Sequence, residues 1–148
     1  MDGRRLRCAP LRRRVGRVRR EVMRLLVDTH IFLWMWGDDP KLSVRARRLI
    51  TCADAVFVSS ASIWEMAIKA GKGKLDVDVD RLVGEIKTSK YRELPVRATH
   101  GAAVRHLPHH HGDPFDRLLV AQAWCEPLLL VTADSHLAQY GASRILTV

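Results

Sequence analysis

Short apolar runs recurring along the chain constrain its fold more than any other feature. RLLVD (24–28), AVFVS (55–59), LLLVT (128–132) and RILTV (144–148) have the length and aliphatic content of strands buried on both faces. Stretches with helical patterning lie between them. SVRARRLITCAD (43–54) begins at a Ser N-cap and sets Val44, Leu49 and Ile50 near one face. SSASIWEMAIKAGKGKL (59–75) reads as a helix that stops at Gly71 or Gly73, residues suited to a helix C-terminus. A further helix is predicted over 78–90 and a brief edge strand over 91–96, limited by Pro95. Helical turns are expected over 97–107 despite Gly101, from Asp113 to about Glu126, and from about Asp134 to Tyr140. Strands alternating with helices predict an α/β class protein: a three-layer α/β/α sandwich with a mostly parallel central sheet.

The chain has 148 residues, 47% of them hydrophobic, enough for one domain with a substantial core. Its net charge of +9 is unevenly spread. Residues 1–22 hold nine arginines against Asp2 and Glu21, a net +7, so residues 23–148 carry only +2. The arm therefore reads as a solvated segment able to pair with nucleic-acid phosphates, or as sequence upstream of a native start at Met23. The domain proper is expected over 23–148. The longest apolar run, Ile31–Trp36, is far shorter than a membrane span, and no secretory signal follows the basic start. Cys8, Cys52 and Cys125 are odd in number and too widely spaced for a zinc site, which points to a reduced, cytoplasmic protein.

Four acids fall at the ends of these elements. Asp28 closes the strand RLLVD, and Asp134 sits just past LLLVT. Glu65 lies early in the helix after AVFVS, where Ser62-Ile-Trp-Glu65 also matches a capping box. Asp113-Pro-Phe-Asp116 suits a helix start, with Asp113 as N-cap, Pro114 at the first position and Asp116 facing the helix dipole. Each acid has a local structural explanation. Together they converge on one rim, because strand C-termini and the starts of the following helices share the same end of a parallel sheet. Carboxylates brought that close repel one another unless a cation joins them. Oxygen ligands favour a hard ion, Mg²⁺ or Mn²⁺, and such ions commonly serve phosphodiester hydrolysis.

Four blocks carry a family resemblance: LLVDTHIFLW (25–34), SSASIWEMAIKAGKGKL (59–75), HHHGDPFDRLLVAQA (109–123) and LLLVTADSHLAQY (128–140). In this order and spacing the chain resembles PIN-domain ribonucleases, and among them the VapC toxins of toxin–antitoxin pairs. The resemblance implies an α/β/α fold and an endoribonuclease whose Mg²⁺ or Mn²⁺ site is built from Asp28, Glu65, Asp116 and Asp134. Asp28 and Asp116 would be the most direct ligands. Thr29 and Thr132 match small hydroxyl positions beside the site, while Asp113 and Arg117 match the remainder of the DPFDR block with less defined roles. An RNA substrate, a cognate antitoxin and a homodimer are further implications. Gly112 departs from the family pattern, which often has a basic residue there.

Other features read as structural. The run His109–His111, with His106 nearby, lacks the partners of a zinc site and is expected on a loop surface, with RNA-phosphate contact by His110 or His111 as its alternative. Phe32, Leu33, Trp34 and Trp36 read as core or as an apolar surface for a partner. KAGKGKL (69–75) lacks P-loop spacing and is expected to end a helix. Two other functions fit a parallel sheet with an acidic rim or a basic arm: a receiver-like phosphotransfer domain and a catalytically inactive RNA-binding module. The first needs a lysine at a later strand end, which LLLVT and RILTV do not offer.

Overall fold

The computed structural model describes residues 21–148; the arginine-rich arm up to Arg20, including Cys8, lies outside the described residues. Five strands form one sheet: β1 (Arg24–Val27), β2 (Ala55–Ser59), β3 (Tyr91–Leu94), β4 (Leu129–Thr132) and β5 (Ile145–Thr147). Their order is β3-β2-β1-β4-β5, and every neighbouring pair is parallel. The expected mostly parallel sheet is thus parallel throughout. β3 takes the edge, with Arg92 and Glu93 exposed.

β1 lies at the centre, and Leu25, Leu26 and Val27 are fully buried. Alternation along the strand sends them to opposite faces. Leu25 and Val27 join Val56, Val58 and Val131 on one face; Leu26 joins Leu130 and Ile145 on the other. The first face is covered by α1 (Thr29–Trp36), α2 (Val44–Cys52), α3 (Ser60–Gly71) and α4 (Val79–Thr88), through Ile31, Phe32, Ile50, Met66, Leu82 and Ile86. The second is covered by α6 (Pro114–Cys125) and a 3-10 helix, Ser135–Tyr140, through Leu119, Val120 and Leu137. Each such buried aliphatic side chain contributes about 1.5–3 kcal/mol of transfer free energy.

Several local details differ from the sequence expectation. The sequence assigns no helix to residues 29–36, yet α1 forms there, started by Asp28, whose Oδ1 accepts the Ile31 N–H at 2.8 Å. Phe32 is core, as read, whereas Trp36 stays 36% exposed. α2 is capped by Ser43 as expected. α3 starts where the 59–75 reading puts it: the Ser59 hydroxyl accepts the Ala61 N–H at 3.0 Å, which leaves Ser62 inside the helix. The Ser62–Glu65 capping box therefore does not form. α3 ends at Gly71, and Gly73 turns the chain in the left-handed region, φ +65°. The predicted helix over 97–107 divides into α5 (Ala98–Ala103) and a 3-10 turn, Val104–His106.

Candidate active site

The strand order reverses between β1 and β4, and in open parallel sheets ligands bind in the crevice beyond the carboxyl ends at such a point. Asp28 follows β1 on one side of the crevice. Thr132 ends β4 on the other, and its hydroxyl donates to Asp28 Oδ2 at 2.5 Å. With its other oxygen capping α1, the Asp28 carboxylate is fixed on both sides. Burial raises its pKa, opposed by the bonds from Thr132 and the Ile31 N–H and by His30, while Glu65 adds repulsion.

Loss of the capping box removes the local structural explanation of Glu65. It is buried in the second turn of α3. Its Oε2 accepts the Thr29 hydroxyl at 2.7 Å, and its Oε1 pairs with the Lys69 ammonium at 2.6 Å. Thr29 and Thr132 thus each tether one acid.

Asp113 and Asp116 divide their labour. Asp113 Oδ1 accepts the N–H groups of Phe115 at 2.8 Å and Asp116 at 3.4 Å, the expected cap with Pro114 as the first helical residue. The carboxyl of Asp116 is pushed up to about 7, first by burial, then by Asp113, Asp28 and Glu65, with His111 opposing them. As part of a strand-to-helix loop, the start of α6 would follow directly on a strand. In fact α5 and a 3-10 turn intervene after β3. The start of α6 reaches the rim because α6 leads directly into β4, which runs parallel to β1, so the helix must begin at the far end of the sheet.

Asp134 caps the last 3-10 helix, its Oδ1 accepting the His136 N–H at 2.9 Å. Slight burial would raise its carboxyl, but the bonds from His136 and His111 outweigh this and hold it below the ordinary range. Asp28, Asp116 and Asp134 open into one cavity of about 300 Å³, shared with His30, Trp34 and Ala133. Glu65 reaches these acids through Thr29 and through its charge on Asp28 and Asp116.

Three residues stand differently from the sequence expectation. His111 is not loop surface: its Nε2 lies 3.0 Å from Asp134 Oδ2 and 3.5 Å from Asp116 Oδ2. His109 and His110 remain exposed as expected. The available signal was position, since His111 sits two residues before the cap of α6. His30 lines the cavity and follows directly on Asp28-Thr29. Arg117 does not line the cavity. Its buried guanidinium donates to the carbonyls of Val104, Leu107, Pro108 and His111 and to the Tyr140 hydroxyl.

The chain is 29% identical to Ribonuclease VapC22 of Mycobacterium tuberculosis over 126 residues, 84% of this chain and 97% of that protein. Its fold is similar to that of VapBC2 from Rickettsia felis, solved bound to a DNA fragment from their promoter, with a TM-score of 0.62 at 15% identity, covering 84% of this chain and 98% of that one. FitAcB from Neisseria gonorrhoeae gives a TM-score of 0.61 at 16% identity, covering 83% and 96%. The PIN domain family model matches residues 25–143, a span that holds all four acids and runs from Leu25 in β1 past the last 3-10 helix, and the chain belongs to the PIN domain family.

Proposed function

We propose that this protein is an endoribonuclease, dependent on Mg²⁺ or Mn²⁺, that hydrolyses RNA phosphodiester bonds as the toxin of a toxin–antitoxin pair. Membership of the PIN family supports the nuclease class, and likeness to a VapC ribonuclease and to VapBC structures supports the toxin role. The observation that carries the reading is that Asp28, Asp116 and Asp134, from three separate elements, open into one pocket. The donor set also fits a hard cation. Asp116 holds its proton to about 7 among other carboxylates, and among the described residues its carboxylate accepts no hydrogen bond. A carboxylate raised by burial and by repulsion, and left open to the pocket, is one that a cation would neutralise.

In this reading Asp28 and Asp116 hold the ion most directly, and Glu65 and Asp134 complete the acidic site. When bound, the cation supplies positive charge for the phosphate and acidity for an attacking water. The protein supplies rigidity. Thr132 and the Ile31 N–H orient Asp28, and Thr29 and Lys69 orient Glu65, so the acids need no rearrangement before substrate arrives. No side-chain nucleophile is required. The toxin role assigns a cognate antitoxin that blocks the pocket, a homodimer and a cytoplasmic setting. A neighbouring apolar cleft of about 530 Å³, with Leu33, Trp36, Leu75 and Val77 in its walls, shares His30 and Trp34 with the acid pocket and offers the antitoxin a contiguous surface. Among the described residues no helix is long and apolar enough to cross a membrane.

RNA cleavage assayed with Mg²⁺, with chelator, and with the Asp28→Asn and Asp116→Asn variants tests the proposal. Cleavage that needs the ion and drops at least about 100-fold in either folded variant is expected. Wild-type rates in those variants would remove the assigned acids from the chemistry. RNA binding without cleavage, indifferent to chelator, would instead make the protein an RNA-binding module.

A further inference from the structure

The geometry assigns His111 to the site as a hydrogen-bond donor that positions Asp134 beside Asp116, and not as a metal ligand. This rests on the proposed metal-dependent reading and adds a residue to it. The competing role is real: a ring nitrogen of His111 and one oxygen from each of Asp116 and Asp134 lie within 4.8 Å of one another, close enough to share an ion. The two roles differ in where the imidazole carries its proton.

The backbone settles that question. The Asp113 N–H donates to His111 Nδ1 at 3.1 Å, so Nδ1 presents its lone pair and Nε2 is left as the ring's donor. Nε2–H then donates to Asp134 Oδ2 at 3.0 Å, with Asp116 Oδ2 at 3.5 Å. Ligation through Nε2 would need a bare Nε2 and a proton on Nδ1, facing the Asp113 N–H donor to donor. Turning the ring over puts carbon at both places and loses both bonds. Neither nitrogen is free to change partner at low cost.

The surroundings hold the ring in that pose. Asp113 is itself fixed as the cap of α6, so its N–H does not swing away. Arg117 grips the preceding loop through the carbonyls of Val104, Leu107, Pro108 and His111. Asp134 is gripped on both sides, with Oδ1 accepting from His136 and Oδ2 from His111. His111 is thus the joint between the start of α6 and the end of β4, and it sets the direction in which Asp134 offers its remaining lone pairs. A residue that orients a ligating carboxylate in this way typically controls metal affinity by about 10–100-fold without touching the metal.

Long-range proton–nitrogen NMR of the His111 ring, before and after Mg²⁺ loading of the whole chain, reads the proton directly. A proton on Nε2 in both states is expected; a loaded protein with the proton on Nδ1 and Nε2 bare overturns the inference. Two variants give an independent reading through Mn²⁺ binding measured by electron paramagnetic resonance. His111→Asn keeps an acceptor for the Asp113 N–H but no longer reaches Asp134, and is expected to weaken Mn²⁺ binding about 10-fold. His111→Gln places an amide N–H near the Nε2 position and is expected to stay within about 3-fold of wild type. Wild-type affinity in His111→Asn, or equal losses in both folded variants, overturns the positioning role. Wild-type protein that binds no Mn²⁺ overturns the metal-dependent reading with it, whereas Mn²⁺ binding with a ligating ring overturns this inference alone.

Discussion

Burial and three nearby carboxylates keep the Asp116 proton in place to about pH 7, whereas in the unfolded chain it leaves near the ordinary 3.8. Between those values the folded protein binds more protons than the unfolded one. This group's contribution to stability is therefore lost as pH rises from about 4 to about 7, and is constant above that. Asp28 is raised by burial and acts in the same direction. Asp116→Asn removes the titration, so in chelator its melting temperature should gain on wild type steadily from about pH 4 to about pH 7. Thermal melts across that range check this, and a gap independent of pH would disprove it. Added Mg²⁺ should raise the wild-type midpoint at about pH 8 and raise that of Asp116→Asn much less. At this scale the acids were legible in the sequence because a carboxylate at a strand end or helix start stands out against apolar neighbours. His111 was not, because three consecutive histidines look alike until the loop is folded and only one ring turns inward.

The start of α6 shows how one short element serves both folding and chemistry. Asp113 caps the helix and also raises the Asp116 carboxyl by its charge. The two effects separate by substitution. Asp113→Ala should cost about 1 kcal/mol in urea unfolding, and Asp113→Ser should recover most of it while leaving the pKa of Asp116 lower than in wild type. Equal stability of the two variants would remove the capping role. Helix starts with a polar cap and a period were legible in the sequence, as at Ser43 and Asp113. α1 was not, because Ile31–Trp36 is apolar at every position, and such a run carries no period to tell helix from strand. The start of α3 is legible from residue 59 onward, but the residue that caps it is not. Ser59, Ser60 and Ser62 all suit an N-cap by type, and only the direction in which β2 delivers the chain selects Ser59.

Across the whole molecule, the strands follow from apolar runs that a parallel sheet must bury on both faces. The order of those strands does not, since each run fits any position in the sheet. Leu130 is fully buried in β4, whereas Val44 on α2 is 76% exposed. Leu130→Ala should cost about 2–5 kcal/mol in urea unfolding, against less than about 0.5 kcal/mol for Val44→Ala, and similar values for the two would contradict the layered core. The order matters most where β4 slots beside β1. The Thr132–Asp28 bond closes the acid pocket across 104 residues of chain. During synthesis, Asp28 therefore waits for this tether until β4 has left the ribosome and docked, and a polypeptide ending before Thr132 lacks both the tether and Asp134.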